Sequence, residues 1–285
     1  MRKAVLALLA VLAGRPAHGE VLWQTLPPTP EIVRGKQTGE VRVNGAVLWY
    51  ATIGQGPPVV LLHGGLANAD WWGLQISALA PGHRVIAMDS RGHGRSTRDA
   101  SPFGYDLMAD DVVGLLDALH IPLADIVGWS DGAILGLDLA IRHPDRVGKV
   151  LTFAANTSTS GLRPHPGQSP VFRRFFERAR RDYERLSPTP HDFDAFVAAI
   201  DQMWRTEPNW TDAQLRSIRA PVLVVDGDHD EAIRQDHTRA IATAIPGAEL
   251  LILPNTSHFA FLQDPDRFNT AMLRFLDGPR PPLSQ

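Results

Sequence analysis

One stretch of the chain decides its fold: Ile126-Val127-Gly128-Trp129-Ser130-Asp131-Gly132-Ala133-Ile134-Leu135. The apolar residues 126–129 predict a short buried strand, and residues 133–141 predict a helix. The turn between them reads G-x-S-x-G, with glycine at Gly128 and Gly132 because a Cβ would not fit there. Such a turn lifts a serine off the end of a sheet. We therefore predict that Ser130 is a nucleophile, the alternative being that it only caps the helix.

The length and composition are typical of one globular α/β domain, and the chain is long enough to include an inserted subdomain. The chain has 285 residues, of which 44% are hydrophobic and 21% are charged. The net charge of −3 and the lack of a basic run predict that it does not bind nucleic acid. It contains no cysteine, which excludes disulfides, a thiol nucleophile and a lipid anchor on cysteine.

The N-terminus has the pattern of a secretory signal peptide. Arg2-Lys3 is followed by the apolar residues 4–13, a run too short to span a bilayer. Small residues in Ala17-His18-Gly19 suit a signal peptidase, with cleavage before Glu20. We therefore predict a signal peptide over residues 1–19, export to the periplasm or the medium, and no stable membrane anchor; an uncleaved N-terminal helix is the alternative.

Apolar runs alternate with helical patterns along most of the chain, which predicts an α/β fold with a mainly parallel, eight-stranded sheet covered by helices on both faces. Asn44-Gly45 predicts a hairpin between the first two strands. The strands are predicted at residues 41–43, 46–51, 58–62, 84–88, 126–129, 149–154, 222–225 and 249–253. The predicted organisation is an extended lead-in (20–39), a core (40–158 and 219–277), a helical cap (159–218) and a tail (278–285).

The predicted cap contains no strand and two amphipathic helical patterns. One apolar face comprises Phe172, Phe175, Phe176, Ala179 and Tyr183, and the other comprises Phe193, Phe196, Val197, Ile200, Met203 and Trp204. The opposite side of the first helix is rich in arginine, at positions 173, 174, 178, 180, 181 and 185. We interpret this arginine face as solvated, with a docking surface as the alternative.

A serine nucleophile needs a base and a group that orients the base. Proteins with this turn supply an acid and then a histidine further along the chain, each in a loop after a later strand. The strand over residues 222–225 is followed by Asp226-Gly227-Asp228-His229-Asp230-Glu231, which offers four acidic side chains. The last strand is followed by His258, which we predict to be the base.

Two backbone amides are expected to stabilise the oxyanion of the reaction. One belongs to Asp131, which follows the nucleophile, and the other is predicted at Gly65, in a glycine turn after the strand over residues 58–62. His63 and His93 also lie in glycine turns, where we expect them to brace their loops by hydrogen bonding. No histidine pair has the spacing of a metal site, and no nucleotide fingerprint is present, so no metal and no cofactor are predicted.

Five motifs in this order resemble the α/β-hydrolase superfamily, in the branch with a helical cap between the sixth and seventh strands. The motifs are His63-Gly64-Gly65, Asp89-Ser90-Arg91-Gly92-His93-Gly94-Arg95-Ser96, the turn around Ser130, Gly227-Asp228-His229-Asp230 and Ser257-His258-Phe259. The turn itself resembles that of serine esterases of the biphenyl-hydrolase-like and valacyclovir-hydrolase-like type. The G-x-x-D spacing of relatives implies that Asp230 is the acid, with Asp228 as the alternative and Glu231 less favoured.

The resemblance implies hydrolysis of a carboxylic ester of a small molecule through a Ser130–His258–Asp230 triad and an acyl-enzyme. Alternatives on the same site are a C–C bond hydrolase, a lactonase, an amidase or a cofactor-free perhydrolase. A small-molecule sensor that retains the triad is a further alternative. The predicted substrate contacts are Trp129, Asp131, Met203, Trp204 and Phe259. The oligomeric state is left open.

The carboxylate of Asp131 is unusual beside a developing oxyanion, because like charges repel. One interpretation is that it only stabilises the start of the helix through the helix dipole. The other is that it faces the substrate and binds an ammonium group, as in an amino-acid ester. The sequence leaves both interpretations open.

Overall fold

The computed structural model describes residues 21–30, 32 and 36–279 and contains one eight-stranded sheet within them. The strands are β1 (Gln37–Val43), β2 (Ala46–Ile53), β3 (Pro58–Leu62), β4 (Arg84–Met88), β5 (Ala124–Trp129), β6 (Val147–Phe153), β7 (Val222–Gly227) and β8 (Glu249–Leu253). Their order is β1-β2-β4-β3-β5-β6-β7-β8. The pairs β1–β2 and β2–β4 are antiparallel and all others are parallel, which confirms the predicted fold.

The N-terminal hairpin forms as predicted, but its first strand is longer than the sequence pattern suggested. Asn44 and Gly45 have φ angles of 43° and 80°, the left-handed conformation that a tight hairpin turn requires. β1 begins at Gln37 rather than at residue 41 and pairs along its whole length with β2. Its first residues are polar and largely exposed because β1 is an edge strand, so they carry no hydrophobic signal.

Helices cover both faces of the sheet, as expected when parallel strands are joined by crossovers. They are α1 (Gly73–Leu79), α2 (Tyr105–Ala118), α3 (Asp131–Arg142), α4 (Pro170–Leu186), α5 (Phe193–Thr206), α6 (Asp212–Arg216), α7 (Gln235–Ala244), α8 (Ala260–Gln263) and α9 (Pro265–Asp277). The short helices α1, α6 and α8 have too few turns for a periodic pattern. Within the described ranges, no helix combines the length and the apolar character that crossing a bilayer would need.

Helices α4, α5 and α6 lie between β6 and β7 and form a cap over the carboxyl ends of the strands. Phe172 of α4 contacts His258 and Phe259, with ring centroids 5.3 Å apart in each pair. Phe196 of α5 packs edge-on against His93, at 4.8 Å. The apolar faces predicted from the cap sequence thus pack against the loops of the core as well as against each other.

The N-terminal segment, defined here as residues 21–30, crosses the arginine face of α4. Arg174 donates a hydrogen bond to the carbonyl of Gln24 (2.7 Å), and Arg178 donates to the carbonyl oxygens of Leu26 (3.1 Å) and Pro27 (2.6 Å). Arg178 also lies over the ring of Trp71, 5.2 Å from its centroid. The interpretation of the arginine face as solvated is therefore wrong for Arg178, which is only partly exposed because backbone carbonyls from a distant part of the chain cover it, whereas Arg174 stays exposed.

A buried lysine joins the sheet to the last helix. Lys149 of β6 is 1% exposed, and its ammonium donates to the carbonyl oxygens of Phe275 (2.9 Å), Leu276 (2.8 Å) and Gly278 (2.7 Å). These carbonyls belong to the C-terminal end of α9, where the helix leaves its last acceptors without intrahelical donors and its dipole is negative. The lysine therefore caps α9 from inside the core.

Candidate active site

Ser130 lies on the sharp turn between β5 and α3. Its backbone has φ 54° and ψ −119°, a conformation that is strained for a residue with a side chain. The turn is held by a hydrogen bond from the Ser130 amide to the carbonyl of Phe153 (2.8 Å). A Cβ at Gly128 would collide with the backbone of Gly132, and one at Gly132 would collide with the backbone of Leu62. Glycine at both positions is therefore a steric requirement of the turn.

His258 and Asp230 meet from loops after neighbouring strands. Nδ1 of His258 lies 2.7 Å from Oδ2 of Asp230, and the two side chains are 4% and 2% exposed. The other oxygen of Asp230 accepts hydrogen bonds from the amides of Ala232 and Ile233, both 2.7 Å long. The carboxylate is thus fixed on both sides, and Nε2 is the ring nitrogen of His258 left for proton transfer.

The electrostatics of this pair favour its charged forms. Burial opposes ionisation of Asp230, but the charge and the hydrogen bond of His258 outweigh it and lower the pKa of the carboxyl below its ordinary value. Burial also opposes protonation of His258, but Asp230, Glu231 and Asp131 together raise the pKa of the imidazole. The site therefore stabilises an imidazolium, which a base must become when it accepts a proton.

The neighbouring acidic residues occupy different positions. Asp228 accepts from Nδ1 of the exposed His229 (2.7 Å) and from the amide of Thr256 (3.2 Å), so it points away from His258. Glu231 accepts from the backbone amide of His258 (3.3 Å) and from the hydroxyl of Ser169 at the start of α4 (3.2 Å). Of Asp228, Asp230 and Glu231, only Asp230 contacts the imidazole ring through its carboxylate.

Ser130 and His258 line a cavity of about 400 Å³ between the core and the cap. The apolar wall comprises Trp129, Leu162, Pro166, Phe172, Phe175, Phe176, Ala232 and Ile233. The polar wall comprises Gly65, Tyr105, Asp131, Asn156, Thr159, Arg163, Asp201, Trp204, Arg205 and Glu207. The reactive side chains thus share the cavity with a large apolar wall, so the cavity is suited to a small molecule with an apolar group.

Two of the predicted substrate contacts lie outside this lining. Met203 is 2% exposed on the buried face of α5, and Phe259 is 0% exposed behind the rings of Phe172 and Phe175. They pack behind the residues that line the cavity. The prediction that Met203 and Phe259 contact the substrate is therefore corrected. The predicted contacts Trp129, Asp131 and Trp204 do line the cavity.

Gly65 and Asp131, the two predicted oxyanion donors, both line the cavity and lie beside each other. The amide of Asp131 is the first of α3, and the first amides of a helix have no intrahelical acceptor. A Cβ on Gly65 would lie 2.5 Å from both Oδ2 of Asp131 and the ring of Trp204. Glycine at this position therefore leaves space for the carboxylate of Asp131 and the ring of Trp204.

The carboxylate of Asp131 faces the cavity and is already hydrogen-bonded. Its Oδ1 accepts from the hydroxyl of Tyr105 (2.9 Å), and Nε1 of Trp204 lies 2.9 Å from both of its oxygens. Burial raises the pKa of Asp131 to about 6. Among the described residues, no Lys or Arg pairs with it. The side chain thus connects the turn around Ser130 to α2 and to the cap helix α5.

The two histidines in glycine turns brace their loops, as predicted. His63 lies with Nδ1 2.8 Å from the carbonyl of Gly64 and accepts from the amide of Ser90 through Nε2 (3.0 Å), so its proton is placed on Nδ1. Nδ1 of His93 lies 2.9 Å from the carbonyl of Arg91, and burial lowers the pKa of this histidine to about 3. Both rings are therefore neutral, and their hydrogen bonds hold the loops beside the site.

Sequence reasoning missed several residues of the cavity. Tyr105 begins α2 and Asn156 follows β6, and neither lies in a recognisable motif. Phe172 and Phe175 were recognised as an apolar helical face, but the pattern cannot tell whether such a face packs on protein or also lines a cavity. Their placement depends on how the cap lies over the core.

The sequence is similar to those of known hydrolases. The model of the alpha/beta hydrolase family matches residues 59–271. The 2-hydroxymuconate semialdehyde hydrolase of Pseudomonas sp. (strain CF600) is 33% identical over 273 residues, covering 87% of this chain and 95% of that protein. The serine hydrolase BPHL of Mus musculus is 27% identical, covering 84% of this chain and 86% of its own. This similarity agrees with the resemblance to biphenyl-hydrolase-like serine esterases that the sequence around Ser130 indicated.

A solved structure has the same architecture. The meta-cleavage product hydrolase from Pseudomonas fluorescens IP01 superposes with a TM-score of 0.73 at 26% identity. The match covers 84% of this chain and 97% of that one. The fold is thus shared over nearly the whole length of that protein.

Proposed function

The chain belongs to the alpha/beta hydrolase family, and we propose that it hydrolyses carboxylic esters of small molecules through an acyl-enzyme on Ser130. One observation carries the proposal. The buried His258–Asp230 pair, with 2.7 Å between Nδ1 and Oδ2, shares a cavity with a serine held in a strained turn. This is the arrangement that activates a hydroxyl group for attack on a carbonyl carbon.

In the proposed reaction, Oγ of Ser130 attacks the ester carbonyl while His258 accepts its proton at Nε2. The amides of Gly65 and Asp131 stabilise the negative oxygen of the tetrahedral intermediate. His258 then protonates the departing alcohol, leaving the acyl group on Ser130. Water repeats the sequence with the same base, which releases the acid and restores the serine. Asp230 keeps the imidazole oriented and stabilises its protonated form.

The cavity supports a substrate with an apolar or aromatic group. Purified protein beginning at residue 20 is expected to hydrolyse aryl esters of benzoate and phenylacetate with higher kcat/KM than the acetate, because a larger acyl group covers more of the phenylalanine wall. Palmitate esters are expected to be poor substrates, since about 400 Å³ cannot enclose the chain. The assay is release of the aryl alcohol.

A fluorophosphonate probe serves as the control for this panel, because it labels an activated serine whatever the substrate is. Its mass is expected on Ser130 in the wild type and nowhere in Ser130→Ala. An unlabelled wild-type protein that hydrolyses none of the esters would contradict the proposed function.

The carboxylate of Asp131 supports a narrower proposal, that the cavity binds an ammonium group of the substrate. Phenylalanine methyl ester is then expected to be preferred over its deamino analogue, methyl 3-phenylpropanoate. In Asp131→Asn that preference should disappear, because the KM for phenylalanine methyl ester rises about tenfold. The preference should also fade below pH 6, where Asp131 becomes protonated. If Asp131 only supports the helix start, both proteins handle the two esters alike.

A second candidate function is hydrolysis of a carbon–carbon bond. The observation in its favour is the similarity to the 2-hydroxymuconate semialdehyde hydrolase over 95% of that protein's length. The same serine and histidine could serve such a reaction. Incubation with 2-hydroxymuconate semialdehyde beside the ester panel separates the two candidates, because turnover of that compound at a higher kcat/KM than any ester would favour the second.

We also propose that the protein is exported. The predicted signal peptide over residues 1–19 lies outside the described residues, so the proposal is supported by the sequence pattern of Arg2-Lys3, the apolar run and Ala17-His18-Gly19. Mass spectrometry of protein from its native host is expected to give an N-terminus near Glu20. Full-length chain recovered from the cytosol would refute export.

A further inference from the structure

A second buried carboxyl group lies behind Asp230. Asp226 is the penultimate residue of β7 and is 0% exposed. Its Oδ1 accepts from the amide of Gly227 (2.8 Å), and its Oδ2 contacts the hydroxyl of Thr238 on α7 (2.5 Å). In the part of the chain that the structure describes, no Lys, Arg or His forms an ion pair with it. A buried carboxylate without a cation is costly, so this group needs another way to be accommodated.

The carboxyl groups of Asp226 and Asp230 are neighbours within hydrogen-bonding reach of each other. Two carboxyl groups can form a hydrogen bond only if one of them carries a proton, because two carboxylates are both acceptors. Asp230 has the histidine and two amide donors, all of which favour its ionised form. The shared proton is therefore held by Asp226, whose carboxyl has only neutral donors around it.

We propose that Asp226 is a positioning residue of the active site, a neutral carboxylic acid that donates a hydrogen bond to Asp230 and so fixes the carboxylate that orients His258. This inference rests on the proposed function, since it assigns Asp230 to the triad. Burial and the neighbouring charge of Asp230 raise the pKa of Asp226 well above its ordinary value, in agreement with a group that stays protonated at neutral pH.

The hydrogen bond from Asp226 also tunes the base. Donation to Asp230 disperses the negative charge of that carboxylate, so His258 gains less from it. Removing the donor should make Asp230 more basic and raise the pKa of His258. The other titratable groups nearby are Glu231 on the same loop and Asp131 across the cavity, while α7 contributes the hydroxyl of Thr238 and β8 pairs through Ile252.

The test compares two replacements of Asp226 in the full mature chain. Asp226→Asn keeps the shape and an N–H donor toward Asp230, and kcat is expected to stay within about threefold of the wild type. Asp226→Val removes the donor, and kcat is expected to fall about ten- to hundredfold with little change in KM. The acid limb of the pH–rate profile should move to higher pH by about one unit in Asp226→Val only. Thr238→Val is the matched control, because it removes the other polar contact of Asp226 and leaves the carboxyl pair.

An infrared difference spectrum, wild type minus Asp226→Asn at neutral pH, tests the proton directly and requires no substrate. A carbonyl band of a protonated carboxylic acid is expected in the wild type. It stays informative if Asp226→Val does not fold, and also if the esterase proposal fails because the fluorophosphonate leaves Ser130 unlabelled. Absence of the band, an unshifted acid limb in folded Asp226→Val, or an equal loss of kcat in Asp226→Asn and Asp226→Val would overturn the proposal.

Discussion

Ser130→Ala is expected to lower kcat for the best ester by about a millionfold, the largest effect we predict for any single substitution. His258→Ala should lose nearly as much, and the double variant should be little worse than either. The physical reason is that nucleophile and base act as one unit, because the hydroxyl group is unreactive without a proton acceptor and the imidazole has nothing to activate without the hydroxyl group. Steady-state assays of folded protein, at concentrations set from absorbance, measure these losses.

The acid of the triad has a matched control two residues away. Asp230→Asn is expected to lower kcat about ten-thousandfold, because the imidazole loses the charge that orients it and stabilises its protonated form. Asp228→Asn should change kcat by less than about threefold, since Asp228 contacts His229 and the amide of Thr256 instead. A larger loss in Asp228→Asn than in Asp230→Asn would show that the acid is misassigned.

The pH dependence follows from the same pair. His258 must be neutral to accept the proton, so kcat/KM should fall as the pH drops through its pKa. Asp230 raises that pKa against the effect of burial, which places the acid limb above the ordinary value for histidine. The residual activity of Asp230→Asn should have its acid limb at lower pH, because the neighbouring negative charge is gone.

Lys149→Met is expected to lower the free energy of unfolding by about 3 kcal/mol, the largest effect on stability that we predict. The methionine fills a similar volume but leaves the carbonyls of Phe275, Leu276 and Gly278 without the ammonium that satisfies them inside the protein. Urea denaturation followed by circular dichroism measures the change. The melting temperature should fall by roughly 6–12 °C.

An exposed cation provides the comparison for Lys149. Arg216 is 60% exposed in its side chain and contacts Asp212 at 3.6 Å, so Arg216→Met should alter the free energy of unfolding by less than about 0.5 kcal/mol. The kcat of folded Lys149→Met should match the wild type, because the carbonyls that the ammonium satisfies belong to the C-terminal end of α9 and not to the triad. Equal stability of the two variants would mean that the cap on α9 contributes nothing.

The fold class and the position of Ser130 could be predicted from local sequence. Buried parallel strands are recognisable as continuous apolar runs, and a strand, a G-x-S-x-G turn and a helix are consecutive in the chain. The hairpin at Asn44-Gly45 was equally clear, because a turn with two left-handed residues restricts the residue types it accepts. These features depend on contacts between neighbours in sequence, which is why a pattern reveals them.

The remaining features were decided by contacts between distant parts of the chain. Sequence alone left Asp228 beside Asp230 as the acid, and only the path of the loop after β7 shows which carboxylate reaches His258. It also left open whether the carboxylate of Asp131 supports the helix start or faces the substrate cavity. The structure shows that Trp204, 73 positions later, donates to this carboxylate in the cavity wall. The docking of residues 21–30 on α4 and the pairing of Asp226 with Asp230 are further cases. Hydrogen-bond partners of this kind depend on where the tertiary fold carries each backbone segment, and no local periodicity records that.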